Sequence, residues 1–405
     1  MATPRNAPRR GPYRPLAGIR VLSFELAYSL PAATRMLSEL GAEVVRVAPP
    51  RGVGFADFTT AVDGVSLGKA NIAINLKTDE GKQLARALVA RADIVSSNFT
   101  APVMPSFGLG PADLRALKPD LIVLRLSGYG SPGPWTTFPA FAAATEAVAG
   151  LNSVQGNDGD PPVRVGSGIF ADQLSGMYAV LAIVAALERR AETGEGADID
   201  LAMAECVTLM LGPQVMETSR TGSLPARTGN RAPNVAPQGV YPCQGDDEWL
   251  ALTVASDVEW TTLVELIDDD RLRAPELRTR AERVLSHDAI DAVIAEWTRP
   301  RHKLQLAECL QARGIAAGPV QNAADRCERD TQLKERGYFI PLPQSEIGTW
   351  PVENFPARFQ NTPISVGGPP GRAAPLIGED NDYVYREVLG LKAEEITALR
   401  EDWVI

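Results

Sequence analysis

The sequence predicts an α/β protein: a large domain on a parallel sheet, followed by a smaller α+β domain. Three observations carry this. Short apolar stretches alternate with amphipathic ones of helical period from Gly18 onward. The stretches are continuously apolar rather than alternating, as strands covered on both faces are. The chain of 405 residues is also longer than one hydrophobic core usually serves.

The elements follow in order. IRVLSF reads as a buried strand, and AATRMLSEL as a helix with Pro31 in its first turn. Gly41 stops that helix, and EVVRV is a second strand. The alternation repeats through the helix EGKQLARALVARA, the strand DIVSSN, the helix ADLRAL and the strand LIVLRLS. No GxGxxG follows the first strand, where ELAYSLP stands, so a nicotinamide dinucleotide site is unsupported. SGYGSPGP (127–134) forms a tight loop at the carboxyl end of LIVLRLS. It is either a ligand loop, as in open α/β sheets, or a plain connecting turn. QLSGMYAVLAIVAALERR is a long helix with Leu174, Met177, Leu181, Val184 and Leu187 at helical spacing, and Asp172 stands where an N-cap would. GEGADIDLAMAE supplies a turn, a strand and the start of a helix.

NRAPNVAPQG, rich in Pro and Asn, marks a linker near Gly229. EWLALTV then reads as a strand, with helices between Val258 and Arg313, and GIAAGPV as a return toward the first domain. The expected organisation is a disordered tail over 1–14, a large domain over 15–228, a small domain with linkers over 229–320, and a C-terminal segment, 321–405, returning to the large domain.

Composition narrows the function. A formal charge of −10 argues against a nucleic-acid or membrane-surface binder. The N-terminal MATPRNAPRRGPYRP has no apolar core and is not a secretory signal, and no run of about 18 apolar residues predicts a spanning helix. Cys206, Cys243, Cys309 and Cys327 are far apart, fitting neither a zinc site nor a disulfide framework, so reduced thiols, a cytoplasmic location and no metal are expected. His287 and His302 are the only histidines. Any histidine base or metal site must draw on those two.

Several stretches in a fixed order resemble the family III CoA-transferases, the group containing formyl-CoA:oxalate and carnitine CoA-transferases. They are PLAGIRVLSF, LGAEVVRV, NIAINLKTDEG, ADIVSSNF, SGYGSPGP, ADQLSGMYAVLAIVAALERR with GEGADIDL, GIAAGPV and APLIGEDNDYVYREVLGL. The resemblance implies a Rossmann-like large domain plus a small domain, an interlocked homodimer, and Asp172 as nucleophile. It also implies an aspartyl-CoA thioester intermediate, with CoA as a substrate thioester and a free carboxylic acid as acceptor. By carry-over, Ala27, Tyr28 and Ser29 line the nucleotide end, and Ile74, Lys77, Asn98 and Phe99 match other CoA-contacting positions. Arg46, Arg51 and Lys69 are phosphate candidates on charge and position, each otherwise a solvated surface charge.

The chemistry fits a chain poor in histidine, because a carboxylate of ordinary pKa near 3.9 is already ionised at neutral pH and needs no base. Gly166, Gly168 and Gly176 would let backbone approach the reacting atoms. Departures from the family's pattern bear on the substrate. Ala48 stands where Glu is frequent, Ser106 where Arg often stands, and PAFAAATEAVAG has no cation. Oxalate-type specificity is unsupported, and a larger or more apolar acyl group is expected. Two rivals remain: a 2-methylacyl-CoA racemase-like isomerase, whose base histidine should follow SGYGSPGP where none stands, and a catalytically silent partner subunit.

Overall fold

The computed structural model describes residues 14–50, 64–166, 168–362 and 364–405. They form two compact units: the described parts of 1–152, 164–224 and 332–405, and those of 153–163 and 225–331.

The first unit is organised by six parallel strands: β1 (Arg20–Phe24), β2 (Glu43–Ala48), β3 (Ala70–Ala73), β4 (Ile94–Ser97), β5 (Ile122–Ser127) and β6 (Ala197–Ala202). Their order is β3-β2-β1-β4-β5-β6. β3 overlaps the start of NIAINLKTDEG, which the apolar pattern did not mark as a strand; at four residues it is too short for periodicity to show. The helices are α1 (Ser29–Glu39), α2 (Asp79–Val89), α3 (Val103–Ser106), α4 (Pro111–Leu117), α5 (Ala142–Val148), α6 (Leu151–Val154), α7 (Phe170–Thr193), α8 (Met203–Met210) and α9 (Gly212–Thr221).

Local chemistry explains their limits. Thr78 caps α2 by accepting from Gly81 N at 3.0 Å, with Asp79 and Glu80 favourable in the first turn. Gly41 ends the α1 region at φ +106°, a conformation that penalises any residue with a Cβ. α7 packs along α1, and Gly176 permits it: a Cβ there would sit 3.1 Å from Ser29 O and 3.4 Å from Ala32 Cβ. Its role is close helix packing, not approach to reacting atoms as expected.

The apolar stripe of α7 divides in two. Leu174, Ala179, Ile183 and Ala186 are buried, whereas Met177, Leu181 and Val184, expected to share the core face, are exposed. By length and composition this 24-residue helix is apolar enough to cross a membrane, as the buried helix of a globular core also can be. In the fold its inner face is core.

The C-terminal segment covers the sheet's β3 edge. Asp380 Oδ2 accepts from Asn71 N at 2.7 Å, Asn381 Oδ1 from Ala73 N at 2.9 Å, and Tyr385 OH donates to Ala73 O at 2.6 Å. Side chains thus satisfy backbone groups that an open edge would expose. A hairpin of β10 (Phe339–Gln344) and β11 (Gly348–Glu353), absent from the sequence expectation, lies in the same unit.

The second unit has an antiparallel sheet of β7 (Gln238–Pro242), β8 (Trp249–Thr253) and β9 (Ala316–Pro319), with helices Asp257–Ile267, Arg280–Leu285, His287–Thr298 and Lys303–Gln311. GIAAGPV therefore supplies the third strand of this sheet rather than a return to the large unit, which resumes at 332.

Candidate active site

Strand order reverses between β1 and β4, so the turns that follow them diverge and leave a crevice at their carboxyl ends. Asn98, the first residue after β4, spans it. Its Oδ1 accepts from Leu26 N at 2.9 Å and its Nδ2 donates to Leu26 O at 2.7 Å. This clamp holds the β1–α1 turn, where Ala27 has φ +58°, a costly conformation for a residue with a Cβ. Asn98→Ala should release the turn, costing about 1–3 kcal/mol for the unpaired Leu26 groups. Thermal unfolding would register that loss.

Asp172 enters from the other side. α7 begins at Phe170 after Ile169, whose side chain cannot cap. Glu146 of α5 caps it from elsewhere, Oε1 accepting from Ala171 N at 3.3 Å. The turn before α7 has Gly166 at φ +53° and Gly168 at +76°, and Arg164 Nη2 donates to Gly168 O at 2.8 Å. Asp172 is accordingly the third residue of the helix, not its N-cap. Its side chain is free to face a cavity because capping falls to Glu146.

Asp172 is 8% exposed, and among the described residues nothing hydrogen-bonds its carboxylate. Burial, and secondarily the fully buried Glu146 nearby, pushes its pKa up to about 6. Arg164 Nε lies 3.8 Å from Glu146 Oε2 and offsets that second carboxylate.

The cavity in front of Asp172 measures about 230 Å³. Ala27, Ser29, Asn98 and Phe99 line it together with Asp172, so five positions inferred from sequence meet at one place. The SGYGSPGP loop contributes Ser127 and Gly128. The amino ends of α1 and α7 converge there, each with leading N–H groups that have no intrahelical acceptor and suit an anion or oxyanion.

Other candidates fall elsewhere. Tyr28 OH accepts from Gln173 Nε2 at 3.2 Å, beside Asp172 in sequence. Lys77 is exposed between β3 and α2. Ile74 is core, in the cluster against which Phe99 packs. Lys69 and Arg46 are buried around Glu25: Lys69 Nζ is 2.6 Å and Arg46 Nε 3.8 Å from its Oε1. They are thus not the surface charges expected of phosphate ligands. Ser23 and Thr34 hydroxyls donate to Glu25 Oε2 at 2.7 and 2.6 Å. Arg51 lies outside the described residues.

Sequence reasoning missed Glu25, Glu146 and Arg164. Glu146 had a signal, being the only charged residue between 139 and 157. Both histidines belong to the second unit, and neither lines this cavity. A larger hollow of about 790 Å³ lies at the amino ends of β1 to β3, and none of the candidate site residues lines it.

The first unit is thus a doubly wound α/β protein with a buried carboxylate, Asp172, beside a cavity at the switch point of its sheet. The chain belongs to CoA-transferase family III, whose model matches residues 16–381. It is 30% identical to a succinyl-CoA--D-citramalate CoA-transferase of Chloroflexus aurantiacus, over 97% of this chain and 99% of that protein. A succinate--glutarate CoA-transferase of Agrobacterium fabrum is likewise 30% identical, over 94% and 97%. A formyl-CoA:oxalate CoA-transferase of Streptomyces avermitilis is 29% identical, over 96% and 99%. Among solved structures, a CAIB/BAIF family protein from Brucella suis superposes with a TM-score of 0.83 at 28% identity, over 92% of this chain and 99% of that one.

Proposed function

We propose that the protein transfers CoA from an acyl-CoA donor to a free carboxylic acid through an aspartyl-CoA thioester on Asp172. The observation that carries this reading is the Asp172 carboxylate itself: buried, without a hydrogen-bond donor among the described residues, and facing a cavity at the sheet's switch point. Desolvation makes it a stronger nucleophile than a solvated carboxylate, and a pKa of about 6 leaves it ionised at neutral pH. An Asp172 oxygen attacks the donor's thioester carbonyl, and the tetrahedral adduct collapses with loss of CoA thiolate to leave a mixed anhydride of the donor acid and Asp172. The thiolate then attacks the aspartyl carbonyl and expels the donor acid. The acceptor carboxylate attacks aspartyl-CoA, a second anhydride forms, and the returning thiolate takes the new acyl group, freeing Asp172. Each tetrahedral oxyanion needs donors, and the leading N–H groups of α1 and α7 are nearest to hand.

Donor alone should load the enzyme, because the covalent adduct precedes the acceptor. Hydroxylamine should then mark Asp172 in a peptide map. A mark on Glu146 or no mark at all would refute the mechanism.

The racemase-like reading lacks its base, since no histidine lines the cavity. Retention of Asp172 in an open cavity weighs against a silent subunit.

A cytoplasmic homodimer is also proposed. Met177, Leu181 and Val184 of α7, with Leu209 and Met210 of α8 and Val215 and Met216 of α9, are exposed apolar side chains on sequence-adjacent helices of one unit. So much apolar surface is costly in water unless a second chain covers it. Light scattering at micromolar concentration should give twice the chain mass, and Leu181→Asp should lower it; a monomeric wild type would exclude the dimer. Two relatives are alpha and beta subunits of a succinyl-CoA--L-malate CoA-transferase, so a monomeric result would direct the search to a second, non-identical chain.

A further inference from the structure

We infer that the acyl group handled at Asp172 is an apolar monocarboxylate of about the size of an aromatic ring, and not a dicarboxylate; this rests on the transfer reaction proposed above. Leu26, Phe99, Leu126, Phe138, Phe141 and Met203 make most of the cavity wall, and Ser29, Thr100 and Ser127 add neutral hydroxyls to it. Among the described lining residues there is no Lys, Arg or His, and the only charged one is Asp172 itself. The amide of Asn98 is already committed to Leu26. Arg164, the cation paired with the neighbouring Glu146, also donates to Gly168 O and is not among the lining residues.

The reaction treats one carboxylate differently from two. When the acceptor arrives, Asp172 is thioesterified and therefore neutral, so a single incoming carboxylate does not face its charge. That carboxylate's own charge disappears as its oxygen bonds to the aspartyl carbon and CoA thiolate leaves. When the thiolate then attacks the acyl carbon, the C–O bond to Asp172 breaks and the aspartate carries the negative charge away. A second carboxylate on the acceptor has no such relief. It would stay anionic throughout, among largely apolar walls and with no cation among the described lining residues to meet it.

Size and surface agree with this. At about 230 Å³ the cavity exceeds the roughly 150 Å³ that admits benzene in an apolar protein interior, so a phenyl ring or a branched chain of similar bulk fits. Phe138 and Phe141 expose 52% and 64% of their surface, which an apolar acyl group would cover. The relatives named for succinate, glutarate or oxalate handle diacids, and this cavity departs from what a diacid requires.

The test is competition on the full-length protein. Butyryl-CoA and succinyl-CoA are each supplied with an equimolar mixture of phenylacetate, hexanoate, isovalerate, succinate, glutarate and oxalate, and product thioesters are read by mass spectrometry. The monocarboxylates should win by about 100-fold or more in kcat/KM. A diacid that equals or exceeds them overturns the inference while leaving the transfer reaction standing. No product in any arm, together with no hydroxylamine-trapped Asp172 adduct, removes both. In a second arm, Phe141→Arg places a cation on the half-exposed cavity wall and should shift the monoacid-to-diacid ratio at least about tenfold toward diacids. An unchanged ratio in a folded, active variant counts against the assignment.

Discussion

Asp172→Asn should abolish CoA transfer, by at least about 10⁴-fold, while making the protein more stable at neutral pH. The first effect follows because an amide cannot form the anhydride or the thioester. The second follows from the fold. Asp172 is not a helix cap, so Asn forfeits no capping bond, and the substitution deletes a buried carboxylate that nothing among the described residues hydrogen-bonds. Its folded pKa, about 6, lies above its ordinary value of 3.8, chiefly because of burial and then because of Glu146. The folded state therefore holds this proton more tightly than the unfolded state, and stability falls as pH rises from about 4 to about 6. Above that window the ionised side chain costs about 3 kcal/mol at most, less whatever the helix dipole returns. Thermal unfolding of the two proteins should coincide near pH 3.5 and separate above pH 6, the Asn variant melting higher. The wild-type kcat/KM should in turn climb about tenfold per pH unit below 6 and level off above it, as the nucleophile ionises. An Asn variant that retains turnover would remove Asp172 from the mechanism. One that melts lower at pH 7 would show that the carboxylate is stabilised by its surroundings and not strained by them.

The second large effect concerns Lys69, which sequence position offered as a phosphate ligand. Its ammonium is fully buried, donates to Glu25 Oε1 at 2.6 Å and Pro31 O at 2.9 Å, and so ties α1 to the sheet. Lys69→Met should cost about 3–5 kcal/mol, because among the described residues it leaves the buried Glu25 with one cation, Arg46 at 3.8 Å, beside the hydroxyls of Ser23 and Thr34. Burial pushes Glu25 up, but the charges of Lys69 and Arg46 with hydrogen bonds from Lys69 and Thr34 outweigh it, and the net pKa is lowered. The cluster accordingly contributes stability above the unfolded carboxylate's pKa and loses it as pH falls toward the folded value. Adding Glu25→Gln to Lys69→Met should recover part of the loss, a coupling that a double-mutant cycle reads directly. A surface phosphate ligand would behave oppositely: Lys69→Met would leave melting unchanged and raise the KM for CoA.

The strand–helix alternation was legible in the sequence because continuous apolar strands and amphipathic helices have different periods, and both are written in consecutive residues. The chain order of β1, β2, β4, β5 and β6 could be read that way. So could Asp172, but only through a resemblance: taken alone, an aspartate before a long apolar helix is indistinguishable from a cap. β3 and the β10–β11 hairpin were not legible, since four residues carry too little pattern and the hairpin strands carry prolines.

What tertiary structure alone decided is which charges are partners. Glu25 meets Lys69 across 44 residues, Asn98 clamps Leu26 across 72, and Glu146 caps α7 across 25. None of these pairings has a local signature, because the energy of a charge or a hydrogen bond depends on distance and burial in space, not on separation along the chain. The same holds for α7, where one periodic stripe became two faces, Leu174 inward and Met177, Leu181 and Val184 outward. Helical spacing says that these side chains lie close together on a cylinder; only the packing of α1 against it determines which of them leave water.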